Sequence, residues 1–344
     1  MRSIISRFTK IPQSGLLIII VVFMALLSVL AGSRVDSITG QTINNFLNPA
    51  TIMQTLTDAS FFAIMAIGIT MVIISGGIDL SVGSTYALSG VVMAMVLQNM
   101  GNASSIVLIL TAIVLCLGIG TLCGFLNGVM IVGLKVHPFI ITLGTMWVFR
   151  GIAFVSSQAK SMLVPDVLTK VAKSTLGFNS SLYPVPMLIM LLMTILGEIY
   201  LLRTVMGRNV YAVGGNEEAA KYCGLRVDRA YISVYVITGL CAGIAAFIGS
   251  SFYGATSCND ANGYELYVIA SAVVGGASLT GGKGSAFGAC LGALLIVLIR
   301  QSIRTLHFDQ NYEWIIIGCA IIIAVVLDRI SSQMAAKRLA RQAE

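Results

Sequence analysis

The sequence predicts an all-α polytopic membrane protein, and its composition is the first reason. Of the 344 residues, 57% are hydrophobic and only 10% are charged, whereas soluble domains average about 25% charged residues. The second reason is a series of apolar segments close to the roughly 20 residues with which a helix crosses the hydrocarbon layer. These observations exclude a soluble enzyme or nucleic-acid-binding domain. The net charge of +7 is attributed to Lys and Arg held at the cytoplasmic face of a membrane.

Hydropathy places the candidate spans along the chain. Eight segments are clear candidates: residues 15–32, 52–74, 105–134, 138–156, 184–202, 231–253, 287–303 and 314–327. Two weaker segments are rich in small residues: 82–100 and 266–279. Together they predict about eight to ten transmembrane helices, and hydropathy alone leaves that choice open. No stretch between spans is long enough for an independent core, so residues 1–344 are expected to form one transmembrane domain.

The distribution of Lys and Arg predicts the orientation. If both termini are cytoplasmic, most of the 21 basic residues lie on the inner side, as is typical of membrane proteins. The inner positions are those before the first span, in residues 203–229, in the C-terminal tail, and Lys135 and Lys283. The exceptions lie in an outer loop: Lys160, Lys170 and Lys173. The basic start and first apolar segment also resemble a cleavable signal peptide, but the segment is long for one, which favours a retained helix.

A polar island, residues 207–229, interrupts the apolar pattern with charges of both signs. Asn216 is a good helix cap, and Glu217 and Glu218 in the first turn interact favourably with the helix dipole. Gly224 is placed to end this helix. The helix is too short to be stable alone in water, so we expect it to need a partner surface. An ordinary solvated loop is the alternative interpretation.

Two glycine-rich segments lie between candidate spans. In the first, Gly76 and Gly77 permit a tight turn, and Asp79 is expected to cap the helix that follows, next to Ser81. The alternative is that Asp79 binds an ion or substrate within the membrane. The second segment contains Gly275 and Gly276. Aligned on the Gly pairs, the segments 76–83 and 275–282 share several residues, which predicts an internal duplication.

Other polar residues fall within predicted spans and are candidates for lining a path or pairing across helices: Asn127, Arg150, Glu265 and Arg300. His137 and His307 are far apart in the sequence and lack neighbouring ligands, so the sequence predicts no metal site. We find no catalytic constellation and therefore predict no enzymatic activity. Lys283 follows two glycines, but Gly284 replaces the Ser or Thr of a phosphate-binding loop, which argues against nucleotide binding.

Three segments in this order resemble one known family: residues 76–84 (GGIDLSVGS), 213–227 (VGGNEEAAKYCGLRV) and 264–284 (YELYVIASAVVGGASLTGGKG). The family is the permease subunits of bacterial ABC importers for simple sugars, which includes ribose and autoinducer-2 permeases. The resemblance covers most of the chain, from about residue 47 to residue 327. Glu218, Ala219, Ala220 and Gly224 match the start of the EAA loop of importer permeases. The usual downstream Leu-Pro is absent, which favours the many-span architecture of vitamin B12-like permeases.

The resemblance implies a transport subunit of the bacterial inner membrane. Residues 207–229 would be the cytoplasmic coupling segment, seated on a separate ABC ATPase subunit that binds ATP and Mg, so that this chain itself binds no cofactor. It further implies a periplasmic solute-binding protein and a second permease copy or paralogue. The alternatives are an ion-coupled secondary transporter, for which Asp79 and Glu265 are the plausible acids, and an ABC permease for branched-chain amino acids. A membrane-embedded enzyme is a third alternative. The sequence does not identify the sugar.

Overall fold

The computed structural model of the chain describes residues 13–35, 40–101, 103–177, 182–309, 311–316, 318–319, 322 and 326. Within these residues the helices are α1 (Ser14–Leu30), α2 (Pro49–Ile74), α3 (Val82–Gln98), α4 (Ser105–Leu134), α5 (Pro138–Ser157), α6 (Asp166–Ala172), α7 (Val185–Arg203), α8 (Val205–Gly215), α9 (Glu217–Tyr222), α10 (Val227–Tyr253), α11 (Tyr264–Val274) and α12 (Ala286–Thr305). Four short strands join loops: β1 (Ser33–Val35), β2 (Thr42–Asn44), β3 (Met162–Leu163) and β4 (Ala255–Thr256).

The predicted fold class is confirmed. Six helices in the described part of the chain are long and apolar enough to cross a membrane, and three shorter apolar helices accompany them. These nine correspond to nine of the ten predicted segments. For the last segment, 314–327, the described residues 312–316 are helical, and most of its remainder lies outside the described residues. The weak segment 266–279 is shorter than predicted because α11 ends at Val274, before a glycine turn.

Helix α2 lies at the centre of the bundle. From Ala59 to Ile74 its side chains are apolar on every face except at Ser60 and Thr70, and all of these residues are buried. A helix that is hydrophobic all round is expected to be covered on all sides, and α7, α10, α11 and α12 pack around this one. The side chain of Asn48 caps its start by accepting a 2.9 Å hydrogen bond from the backbone N–H of Thr51.

The two longest helices, α4 and α10, pack antiparallel at backbone contact. A Cβ added to Gly124 would lie 2.1 Å from the carbonyl oxygen of Tyr235, and one added to Gly120 would lie 2.3 Å from that of Gly239. Small residues permit this approach, as is common between membrane helices. Gly118 lies two residues before Gly120 but takes no part in this contact, because a Cβ there would meet nothing within 4 Å. The packing places the end of α4 beside the start of α10.

The two glycine segments form turns of the same geometry. After α2, the N–H groups of Gly76 and Gly77 donate to the carbonyls of Ile73 and Val72; after α11, those of Gly276 and Ala277 donate to Val273 and Ala272. Gly76 (φ 86°) and Gly276 (φ 96°) occupy the left-handed region that favours glycine. In the structure Gly276 is equivalent to Gly76, whereas the sequence alignment on the Gly pairs matched it with Gly77. The structural alignment of the two turns is therefore shifted by one residue.

The loops gather at two opposite ends of the bundle. At one end, β3 pairs with β4, which joins the loop after α5 to the loop after α10. At the other end lie α8 and α9 together with the turns after α2 and α11, since the N–H of Gly282 donates a 2.8 Å hydrogen bond to the carbonyl oxygen of Ile74. This grouping agrees with the division into two sides that the basic residues predicted.

Candidate functional site

The polar island forms two consecutive helices, α8 and α9, whereas one was predicted. The side chain of Thr204 accepts a 2.9 Å hydrogen bond from the N–H of Gly207 at the start of α8. Asn216 adopts an extended conformation between the helices, and its side-chain oxygen accepts a 2.9 Å bond from the N–H of Ala219. The prediction that Asn216 caps the short helix is confirmed. The sequence interpretation missed α8, whose Gly214-Gly215 end resembles a loop.

The end of α9 is also the one predicted. Gly224 has a φ of 79°, and the N–H groups of Gly224 and Leu225 donate to the carbonyls of Lys221 and Ala220. One turn of the helix is joined by an ion pair between Glu217 and Lys221. The hydrogen bond to Glu217 raises the pKa of Lys221, so its ammonium group stays charged at neutral pH. The hydroxyl of Tyr231 also donates to Glu217 at 3.3 Å.

Most of the surface of α9 has no partner within the described chain. Ala220 is its one buried residue, whereas Glu218 and Ala219 are exposed. Tyr222 as a whole residue is 91% exposed. An exposed tyrosine at the tip of a capped helix is typical of residues that anchor interfaces. Tyr222 was not among the residues predicted from the sequence, where the available signal was an aromatic residue at the end of a short charged helix.

A polar cluster surrounds the turn after α2. Asp79 is buried, and its Oδ1 accepts bonds from the N–H of Ser81 at 2.8 Å and from the Ser81 hydroxyl at 2.7 Å. The prediction that Asp79 caps α3 is therefore wrong in detail, since Ser81 is the residue that precedes the helix. The carboxylate closes a local turn to the residue two positions ahead, which competes with capping.

Asn127 of α4 belongs to the same cluster. It is fully buried, and its side-chain N–H donates a 2.7 Å hydrogen bond to the hydroxyl of Ser81. The hydroxyls of Thr142 and Tyr235 both donate to the carbonyl of Ile78 at 3.2 Å. Gly77 leaves room for this arrangement, because a Cβ there would lie 2.6 Å from the Tyr235 oxygen. The cluster joins three helices to the turn.

Glu265 lies apart from that cluster, at the first turn of α11. A Cβ on Gly83 would lie 2.8 Å from Glu265 Oε2 and 2.4 Å from the carbonyl of Ala261, so the first turns of α3 and α11 meet. Helix α11 has 11 residues, a length of about 16 Å at 1.5 Å per residue, or roughly half the hydrocarbon thickness. The start of α11 is therefore expected near the middle of the membrane.

Arg150 of α5 holds the loop that leads into α11. Its guanidinium donates to the carbonyl oxygens of Cys258 at 2.7 Å, Asp260 at 2.6 Å and Ala261 at 3.3 Å. The planar guanidinium presents several donors in fixed directions, which suits a curved segment with unpaired carbonyls. This contact gives Arg150 a structural role, which the sequence had left open.

The end of the bundle that is opposite to α9 carries an open cavity of about 320 Å³. Its lining combines one cation, carboxamides, hydroxyls and an aromatic ring: Arg34, Asn48, Ala50, Thr51, Met53, Gln54, Thr57, Tyr183 and Gln301. Two ion pairs lie nearby, Asp58 with Arg304 at 2.9 Å and Arg300 with Glu313 at 2.7 Å. In the described part of the chain, no group of three or more His, Cys, Asp or Glu residues is placed to hold a metal ion.

Comparison with known proteins decides the family. Residues 51–325 match the family described as branched-chain amino acid transport system / permease component. The chain belongs to this permease family. It is 36% identical to the D-allose transport system permease of Escherichia coli K12 over 84% of this chain and 86% of that protein. It is 35% identical to the ribose import permease of Bacillus subtilis 168, over 83% of this chain and 86% of that protein. It is 34% identical to the ribose import permease of Escherichia coli K12, over 93% of this chain and 95% of that protein. No solved structure matches.

Proposed function

We propose that this chain is the transmembrane permease of an ATP-driven importer that carries a monosaccharide or a similar small polyol across the bacterial inner membrane. The relatives named for D-allose and ribose support this assignment, because each matches over more than four fifths of the chain. The distribution of basic residues supports a cytoplasmic location for both termini and for residues 207–229. The chain acts by alternating access and catalyses no reaction itself.

The observation that carries the coupling role is the surface of α9. It is a capped helix of six residues, attached to the bundle through the buried Ala220 and the hydrogen bond between Tyr231 and Glu217, with its other residues exposed. Such a helix is too short to persist alone and gains stability from a partner. We assign the ATPase-coupling segment to Asn216, Glu217, Glu218, Ala219, Ala220 and Gly224, in which Ala220 holds the helix to the bundle. We add Tyr222 as its aromatic anchor.

The partners follow from this assignment. ATP and Mg bind to a separate cytoplasmic ABC ATPase subunit, and a periplasmic solute-binding protein delivers the sugar to the opposite end of the bundle. A second permease copy or a paralogue completes the pathway. We assign Gly76, Gly77, Asp79 and Ser81 to a structural turn, which Asn127 supports. Gly275 and Gly276 form the equivalent turn, and Glu265 lies where the first turns of two short helices meet.

The test is transport by the reconstituted complex. The chain is co-expressed with its ATPase and solute-binding protein, inserted into proteoliposomes, and assayed with radiolabelled D-ribose, D-allose, D-fructose and L-leucine. The proposal expects import of at least one sugar that depends on ATP and on the solute-binding protein, and no import of leucine. ATP-dependent import of leucine alone would assign the chain to amino-acid transport. Import driven by an ion gradient without ATP would make it a secondary transporter.

A further inference from the structure

The last turn of α8 approaches the end of α2 to within backbone contact. A Cβ added to Gly214 would lie 1.6 Å from the carbonyl oxygen of Ile74 and 2.8 Å from the backbone nitrogen of Gly282. Distances below 3.0 Å to backbone atoms leave no side-chain rotation to relieve the clash. By contrast, a Cβ added to the next residue, Gly215, would meet nothing within 4 Å. A Cβ is therefore excluded at Gly214 and has open space at Gly215.

The segment after α11 meets the same point from the other side. The N–H of Gly282 donates a 2.8 Å hydrogen bond to the carbonyl oxygen of Ile74, which is one of the carbonyls that the end of a helix leaves free. A Cβ on Gly281 would lie 2.5 Å from the carbonyl oxygen of Gly214. The end of α8 is thus in contact with the end of α2 and with residues 281–282 together.

A side-chain hydrogen bond fixes the position of α8 at this junction. The hydroxyl of Tyr211, one turn before Gly214, donates a 2.7 Å bond to the carbonyl oxygen of Gly284. Burial raises the pKa of Tyr211 to about 12, so its hydroxyl remains a donor at neutral pH. Tyr211 and Gly284 lie 73 residues apart in the sequence, so the bond ties α8 to the α11–α12 connection.

The contact has a mechanical consequence. Side chains can change rotamer when helices slide, whereas backbone atoms already in contact cannot approach further, so a push on one displaces the other. Both connections that meet α8, after α2 and after α11, contain the matching glycine turns at Gly76 and Gly276. A displacement of α8 is therefore transmitted to two helix pairs, α2–α3 and α11–α12, to which α8 is not directly connected in sequence.

We propose that Gly214 is the positioning residue that transmits movement of the α8–α9 segment to the α2–α3 and α11–α12 helix pairs, through backbone contact with Ile74 and Gly282. The inference rests on the proposed coupling role of α9, and it identifies the route that the signal takes from there into the membrane. It distinguishes this route from one through α7 and α10, which are the direct neighbours of the island in the sequence.

The experiment compares Gly214→Ala with the matched control Gly215→Ala in the reconstituted complex. Basal ATP hydrolysis, hydrolysis stimulated by the sugar-loaded binding protein, and sugar import are measured per assembled complex. Gly214→Ala is expected to keep basal ATP hydrolysis. Its stimulation by the binding protein and its sugar import per ATP hydrolysed are each expected to fall at least about fivefold, which is the low end of typical coupling effects. Gly215→Ala is expected to match the unaltered chain. Normal import per ATP in Gly214→Ala would overturn the proposal.

A second variant decides the question if Gly214→Ala does not assemble. Tyr211→Phe removes the bond to Gly284 without adding volume, and it is expected to lower import per ATP hydrolysed by about twofold or more, as the loss of one hydrogen bond predicts. Unchanged import per ATP in that variant would then overturn the proposal. Loss of folded protein lowers hydrolysis and import in proportion and leaves their ratio unchanged. The proposed function itself fails differently, since the unaltered complex would then show no stimulation and no ATP-dependent import.

Discussion

The side chain of Asn127 donates a 2.7 Å hydrogen bond to the hydroxyl of Ser81, which in turn donates a 2.7 Å bond to the carboxylate of Asp79. All three residues are buried. The chain of bonds joins α4 to the turn between α2 and α3. In a low-dielectric interior, a polar group that loses its partner is strongly unfavourable, so the cluster is expected to stabilise the fold.

Ser81→Ala is therefore expected to destabilise the protein by about 1–3 kcal/mol, because it leaves the Asn127 donor unpaired. The measurement is the apparent unfolding temperature of the purified protein in detergent. Thr70→Val is the control, since the Thr70 hydroxyl is buried and has no hydrogen-bond partner among the described residues. Adding Asn127→Leu to Ser81→Ala is expected to recover part of the loss. Equal effects of Ser81→Ala and Thr70→Val would contradict this account.

The double variant Glu217→Lys with Glu218→Lys is expected to abolish sugar-stimulated ATP hydrolysis while membrane insertion stays normal. It places two cations at a helix start, where negative charge is favourable, and it changes the face proposed to contact the ATPase. Hydrolysis by the assembled complex is measured with and without sugar-loaded binding protein. Asp166→Lys is the matched control, an acid in the first turn of α6 at the opposite end of the bundle. Normal stimulation in the double variant would refute the coupling assignment.

At Asp79, the two substitutions are expected to differ. Asp79→Asn keeps an oxygen that accepts from Ser81 and should retain most transport, whereas Asp79→Leu leaves the N–H and hydroxyl of Ser81 unpaired and should reduce folded protein. Import and the amount of protein in the membrane are measured for both. If Asn damages import as much as Leu while protein levels remain normal, the negative charge itself is functional.

For Arg150, replacement by Lys is expected to be nearly as harmful as replacement by Met. One ammonium group cannot present the fixed pair of nitrogen donors that reaches Cys258, Asp260 and Ala261. The expected result is a lower unfolding temperature for both variants and faster proteolysis in the loop after α10. Arg203→Met, an exposed position at the end of α7, is the control. A Lys variant as stable as the unaltered chain would show that a positive charge alone is enough to hold the loop after α10.

The orientation is testable with a reporter that is active only outside the inner membrane. Fusions after Asn216 and after Arg341 are expected to be silent, and a fusion after Lys170 is expected to be active, because most basic residues then remain inside. An active fusion after Asn216 would place α9 beyond the reach of a cytoplasmic ATPase. The importer proposal would fail in that case.

The sequence by itself determined the class, the spans and the short capped helix. The lengths of the apolar segments predicted nine helices to within a few residues. A segment that crosses a membrane must satisfy its backbone hydrogen bonds internally and is therefore helical, and its apolar composition marks where it begins and ends. Asn216 and Gly224 were predictable for a similar reason, since capping and the left-handed turn depend on residues adjacent in the chain.

Only the tertiary structure decided which distant groups meet. Asp79 was expected to cap a helix, but whether a carboxylate caps or closes a turn depends on the conformation of Ser81, which the sequence does not record. The roles of Arg150 and Gly214 depend on partners more than 60 residues away, at the end of α2 and in the loops after α10 and α11. Composition and periodicity report the neighbours of a residue along one helix, whereas these contacts arise when separate helices pack against one another.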